Sequence, residues 1–186
     1  RIAILNGIAS EFGIAATVPS NFDGIPVLNN LKATFYGFKD DRKINDIDNL
    51  WSLFEAALAM ADNDTEDNRQ KFSEAYDKVH DQLCIRWNIT MGLYWIRPYT
   101  FINLDSRNRW FISDVQNMPG EFVVAAEKKL KKVPYAADYL EIKDLCKKAL
   151  DTGKYEYKTF PDLSYIAWVI SEKVNREKSD EKGKKT

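Results

Sequence analysis

Apolar residues recur along this chain mainly at three- and four-residue steps, the period of helices that bury one face. Ile2, Leu5, Ile8, Ala9 and Phe12 make one such stripe, and Gly13 stands where a left-handed C-terminal cap would close it. Turn chemistry follows between Pro19 and Pro26, where Asn21, Asp23 and Gly24 lie. Val27, Leu31 and Phe35 then form another helical stripe up to Gly37, and residues 39–45 read as a polar loop.

Asp46 is placed to cap a helix whose Ile47, Leu50, Trp51, Phe54, Ala57 and Leu58 form a continuous apolar face, ended by the acidic break at residues 62–64. Thr65 caps the next, with Glu66 and Asp67 complementing the positive end of its dipole. Phe72, Tyr76, Val79, Leu83 and Trp87 carry its stripe, and Gly92 is expected to end it. Further on, Pro119 and Gly120 open a helix through Lys132 with Phe122, Val123, Ala126 and Leu130 inward. After Pro134, Tyr139, Ile142, Leu145, Cys146 and Leu150 mark a helix closed by Gly153. Thr159 and Pro161 start the last, faced by Leu163, Ile166, Val169, Ile170 and Val174. Beyond Glu172 apolar residues give way to mixed charge, the pattern of a fraying helix that runs into a solvated linker.

Residues 93–112, LYWIRPYTFINLDSRNRWFI, break this pattern. Aromatic and β-branched residues dominate up to Leu104, and Pro98 argues against helix interior, so two short extended pieces are expected there. Asp105 or Ser106 can then cap a helical turn behind them. The fold class is therefore mostly α: one multi-helix domain over residues 1–175, a small β element near residues 93–104, and a charged linker or tail at residues 176–186. Its core should collect Trp51, Phe54, Phe72, Tyr76, Leu83, Leu145, Ile166 and Ile170.

At 186 residues the chain can build one good core. It is too short to hold a complete nucleotide-driven motor beside it. With 27 basic and 28 acidic residues, no global charge draws it to nucleic acid, so DNA contact would need a local patch. No apolar run approaches the ~18 residues of a membrane span. Cys84 and Cys146, without CxxC spacing, read as reduced core thiols of a cytoplasmic protein, with a disulfide as the alternative. A first residue Arg1 inside a helical pattern suggests a piece of something longer.

The aromatic-rich segment, its proline and the Phe-x-x-Leu-Asp-Ser-x-x-Arg signature of Phe101, Leu104, Asp105, Ser106 and Arg109 resemble a segment ahead of the motor in McrB-type AAA+ proteins, the nucleotide-driven subunits of modified-cytosine restriction systems. Phe22-Asp23-Gly24-Ile25-Pro26 and Asp48-Asn49-Leu50-Trp51 are similar to upstream segments of such proteins. The resemblance implies a parent that hydrolyses nucleotide and defends against foreign DNA. This chain would be a non-catalytic accessory region positioning a DNA-recognition part relative to the motor. Its partners would be those parts of its own chain.

Catalytic chemistry finds little footing. A P-loop needs Gly-x-x-x-x-Gly-Lys and then a hydroxyl, whereas Gly183-Lys184-Lys185-Thr186 only mimics its end, with lysine at positions 178 and 185. His80 and Cys84 stand at i and i+4, but zinc takes three or four ligands and the chain has one histidine. That count also leaves no evident Ser-His-Asp set. Asp138, Glu141 and Lys143 approach the spacing of a metal-dependent nuclease, a distant alternative, yet they fit the wet face of a helix. Asp62, Asp64 and Glu66 lack an EF-hand's glycine and twelfth-position glutamate. No catalytic residue, cofactor or metal is expected. The second reading is a DNA-binding module, in which Arg97, Arg107, Arg109, Lys128, Lys129, Lys131 and Lys132 meet phosphates beside Trp95, Tyr99 and Trp110.

Overall fold

A computed structural model describes residues 1–22 and 34–183, without the side chains of residues 181–183. The described residues form helices and no strand: α1 (Ile2–Glu11), α2 (Asp46–Asp62), α3 (Glu66–His80), α4 (Asn88–Ile96), α5 (Ser106–Ile112), α6 (Gly120–Glu127), a 3-10 turn at Lys129–Lys131, α7 (Ala136–Asp151) and α8 (Phe160–Gly183). The mostly-α expectation holds. The stripe over Val27 and Leu31, like the turn from Asp23 to Pro26, lies outside the described residues.

Local capping follows the side chains. Thr65 Oγ1 accepts the Asn68 amide at 3.3 Å, and Asp105 Oδ1 accepts that of Asn108 at 2.8 Å. Thr159 and Asp162 cap each other: the Asp162 amide donates to Thr159 Oγ1 at 3.2 Å, and Thr159 N donates to Asp162 Oδ2 at 3.0 Å. Gly13 takes a φ of +62° behind α1, the left-handed turn that glycine permits without steric cost. Asp46 sits inside α2 rather than at its cap, which Asn45 occupies; its carboxylate instead accepts the Lys43 amide at 2.9 Å.

The core lies where α3 crosses α7. Phe72, Tyr76 and Tyr139 stack there, and Phe101 lies 5.4 Å from Phe72 at 14°. Each buried phenol finds an acceptor, Tyr76 on the Pro134 carbonyl at 3.1 Å and Tyr139 on that of Ile102 at 3.0 Å. Around this centre α2 packs on α3 and α4, α6 on α7, and α5 on α8.

The expected β element is absent. Residues up to Ile96 belong to α4, residues 98–100 form a turn, and residues 101–105 belong to no ladder, with side chains taking up two of their backbone amides. Thr90 Oγ1 accepts Leu104 N at 3.1 Å and Asn103 Oδ1 accepts Asp105 N at 3.0 Å, which replaces a ladder. Gly92 ends no helix either. It lies within α4, α3 having stopped at His80, and a Cβ there would come within 2.9 Å of Phe35 Cε1. The last helix, α8, runs through Gly183 into the charged end of the chain.

Trp51, Phe54 and Leu83 leave the expected core, with Trp51 61% exposed. On α2 the inward positions are Leu53, Ala57 and Met60, one narrow stripe against α3. Trp51 and Phe54 turn to a second face, with half-buried Leu50 between that face and the core.

Candidate functional site

That second face makes one wall of a groove. Ile47, Leu50, Trp51, Leu53 and Phe54 of α2 oppose Ile89, Gly92, Leu93 and Ile96 of α4, with Ile85 beneath and Phe35 and Tyr36 at one end. Its volume is about 510 Å³, and no lining residue is charged. The missing side chain at position 92 lets the Phe35 ring settle against α4, where it meets Trp95 edge-on at 6.2 Å. Trp51 stands edge-on to Phe54 at 5.7 Å. Elsewhere in the segment before α2, Phe38 and Ile44 are 86% and 95% exposed.

An apolar groove open to solvent is a candidate interaction site. A wall without charge can exclude water and select shape.

The floor is carried by residues 81–87, which join α3 to α4 under strain. Cys84 and Arg86 have φ of 74° and 42°, a region that costs side-chain-bearing residues free energy. The Gln82 amide is shut off from solvent, and among the described residues neither of its polar atoms has a partner. Both ends of the loop are anchored. His80 Nε2 lies 3.0 Å from the Val133 carbonyl and its Nδ1 2.7 Å from Asp81, with the ring stacked on Tyr135 at 3.8 Å. His80 is thus held by neighbours near the core, and no three potential ligands among His, Cys, Asp and Glu come together among the described residues. Cys146 is a buried free thiol raised by burial, and Cys84 is a half-buried one.

The residues of the Phe-x-x-Leu-Asp-Ser-x-x-Arg signature build the scaffold beside this loop. Phe101 and Leu104 are core, Asp105 caps α5, and Ser106 is its first residue. Arg109 lies on the face of Trp87, donates to the Leu104 carbonyl at 2.6 Å, and is lowered by burial. Asn103, buried, donates to Asp105; Asn108, also buried, donates to the Asn103 carbonyl at 2.9 Å and to Ser164 Oγ at 2.7 Å.

The basic residues do not form one open patch. Arg97 faces Asp62 at 3.6 Å, Arg107 pairs with Glu172, and Arg109 is turned inward. Lys129 bridges Asp138 at 2.5 Å and Glu141 at 3.0 Å, and those partners hold its ammonium above the ordinary value. Lys128, Lys131 and Lys132 remain exposed. Trp95, Tyr99 and Trp110 are exposed as well, with Trp95 edge-on to Phe35. Sequence reasoning missed the groove, although α2 did signal it by carrying more apolar residues than one buried stripe requires.

No helix among the described residues is long and apolar enough to cross a membrane. A family model described as a domain of unknown function, DUF8425, matches residues 1–170. No curated protein and no solved structure matches the chain.

Proposed function

Since the chain belongs to the DUF8425 family, a domain family of unknown function, we propose that it is a non-catalytic helical scaffold whose groove between α2 and α4 holds an amphipathic helix. The observation that carries this reading is the uncharged, ready-formed apolar channel between two helices, the shape that takes a helix with apolar residues at i, i+3, i+4 and i+7. The resemblance to McrB-type restriction proteins supplies the setting. There the chain serves in the cytoplasm as an accessory region, holding a DNA-recognition part in place relative to a nucleotide-driven motor. It needs no cofactor of its own for that work.

A labelled amphipathic peptide with leucines at those four positions, compared with its scrambled sequence, tests the reading by fluorescence anisotropy. Micromolar binding of the patterned peptide is expected, together with its loss in Gly92→Leu, which fills the groove. Equal affinity for the scrambled peptide, or no binding of either, would sink it.

A further inference from the structure

The loop that floors the groove also borders a second, polar pocket, where the chain leaves most of its hydrogen-bonding side chains unused. Lys43, Asn45, Asp46 and Asn49 around the start of α2 meet Lys78, Asp81 and Gln82 at the end of α3, about a space of 400 Å³. Small-molecule sites occupy roughly 300–1,000 Å³, so this one suits a small ligand. It shares no lining residue with the apolar groove.

Both carboxylates of the pocket are already engaged by the chain. Asp46 Oδ2 accepts the Lys43 amide at 2.9 Å, while Asp81 accepts the Tyr135 hydroxyl at 2.9 Å and lies 2.7 Å from His80 Nδ1. The cations are not. Among the described residues neither Lys43 nor Lys78 has a carboxylate within ion-pair distance, and Lys43 feels Asp81 only at longer range. The side chains of Asn45 and Asn49 likewise make no hydrogen bond among the described residues.

Water serves exposed groups of this kind, but it does not serve Gln82. Both polar atoms of its amide are shut off from solvent, and neither has a partner among the described residues. Leaving a buried amide unpaired costs more than the missing bonds would return, and native structures keep few such groups. Strain at Cys84 and Arg86 shows that the same loop is held in its shape at a free-energy cost. Lys43, Asn45 and Lys78 are exposed, and exposed side chains change rotamer within nanoseconds, which gives a ligand entry to the pocket without unfolding.

The unused groups define what fits. Unpaired ammoniums take an anionic oxygen group, the amide N–H groups add donors to it, and the Gln82 carbonyl requires a donor from the ligand itself. A bare oxyanion such as sulfate satisfies the lysines and leaves that carbonyl orphaned. We infer that this pocket binds a small carboxylic acid bearing a hydroxyl or amino group, with Lys43 and Lys78 on the carboxylate and Gln82 on the neighbouring donor.

The test titrates the full chain by isothermal calorimetry, in a buffer free of carboxylates, with L-malate, L-aspartate, succinate and sulfate. The three acids share a carbon frame and both carboxylates, and differ in carrying a hydroxyl, an ammonium or neither. Malate or aspartate is expected to bind about ten-fold more tightly than succinate, because a site built around a donor rejects the analogue that lacks it. Which of the two binds tells hydroxyl from amine. Lys43→Met/Lys78→Met, which alters exposed side chains, should weaken that binding by about ten-fold or more at an unchanged melting temperature. Gln82→Met, with Gln82→Leu as a second removal of the amide, should reduce the preferred acid to the affinity of succinate while raising the melting temperature, since the orphan is gone. Succinate binding as tightly as malate and aspartate would overturn the proposal. So would binding of sulfate alone, binding that persists in Lys43→Met/Lys78→Met, or heat from none of the probes. None of these results bears on the patterned peptide, which judges the groove separately.

Discussion

The guanidinium of Arg109 lies flat over the indole of Trp87, 3.7 Å from the ring centroid, and so fastens α5 to the strained loop before α4. Stacking uses the planar face while the edge donates to the Leu104 carbonyl. Lysine can carry the charge but not the plane. Arg109→Lys should lower stability by about 1–2 kcal/mol in chemical denaturation, most of the loss from desolvated cation–π contact. An unchanged midpoint would mean that the stack contributes nothing.

Trp51 and Phe72 give opposite expectations. Phe72 is fully buried among three rings, so Phe72→Ala should cost about 3–5 kcal/mol, whereas Trp51→Ala should cost under about 1 because its ring already meets water. Urea midpoints of the two variants decide it. A large loss at Trp51 would place that indole inside a docked interface.

A carboxylate network sets an acid dependence. Arg69 bridges Asp64 at 2.5 Å and Asp144 at 2.7 Å, and Lys143 reaches Asp144 at 2.6 Å. Burial pushes the Asp144 carboxyl up, but hydrogen bonds from Arg69 and Lys143 outweigh it and hold the group below its ordinary value of 3.8. A depressed carboxylate stabilises the fold above its unfolded value and loses that contribution as pH falls through the folded one. The melting temperatures of wild type and Asp144→Asn should differ at pH 6, and the gap should close as pH falls below the ordinary carboxyl value of 3.8. A gap that stays constant with pH would contradict the network.

The thiols should separate cleanly. Cys146 is fully buried and its ionisation is pushed up by burial, so it should resist maleimide in the native state and react after denaturation. Cys84, half-buried on the strained loop, should label slowly without denaturant. Mass spectrometry showing two native adducts would mean that α7 opens readily.

Duplex binding is expected to be weak. Four of the seven basic candidates are paired or turned inward, so a labelled duplex at low salt should show little shift. Tight, steeply salt-dependent binding that falls in Arg107→Ala/Lys128→Ala/Lys129→Ala would restore the DNA-binding reading.

Helix starts were legible where a side chain caps the segment, as at Thr65 and Asp105, whereas the stripe expected to run on through Trp87 stopped at His80. Capping chemistry is local and survives without tertiary knowledge. What the pattern could not give was which apolar face of α2 meets the core, because Leu53 and Trp51 are both large hydrophobic residues and packing against α3 separates them. Gly92 misled for the same reason: its use is close approach to Phe35, a distant residue, rather than termination. Propensity suggested strands over residues 93–104, but residues 93–96 complete α4, and Thr90 and Asn103 accept the amides of Leu104 and Asp105 where a ladder would have done so. The two left-handed residues, Cys84 and Arg86, carry no sequence signal, since neither is a type that adopts that region freely.

The bonds from Asn108 to Asn103 and Ser164 also decide where α8 cannot sit. Sliding α8 by one turn against α5 would bring Ala167 or Trp168 opposite the Asn108 amide, neither able to accept its proton there. A buried donor left alone costs about 1–3 kcal/mol, more than such a bond usually adds when made. The pair therefore serves less as glue than as an address: it makes neighbouring registers of the longest helix expensive and widens the gap between the native arrangement and its closest imitators.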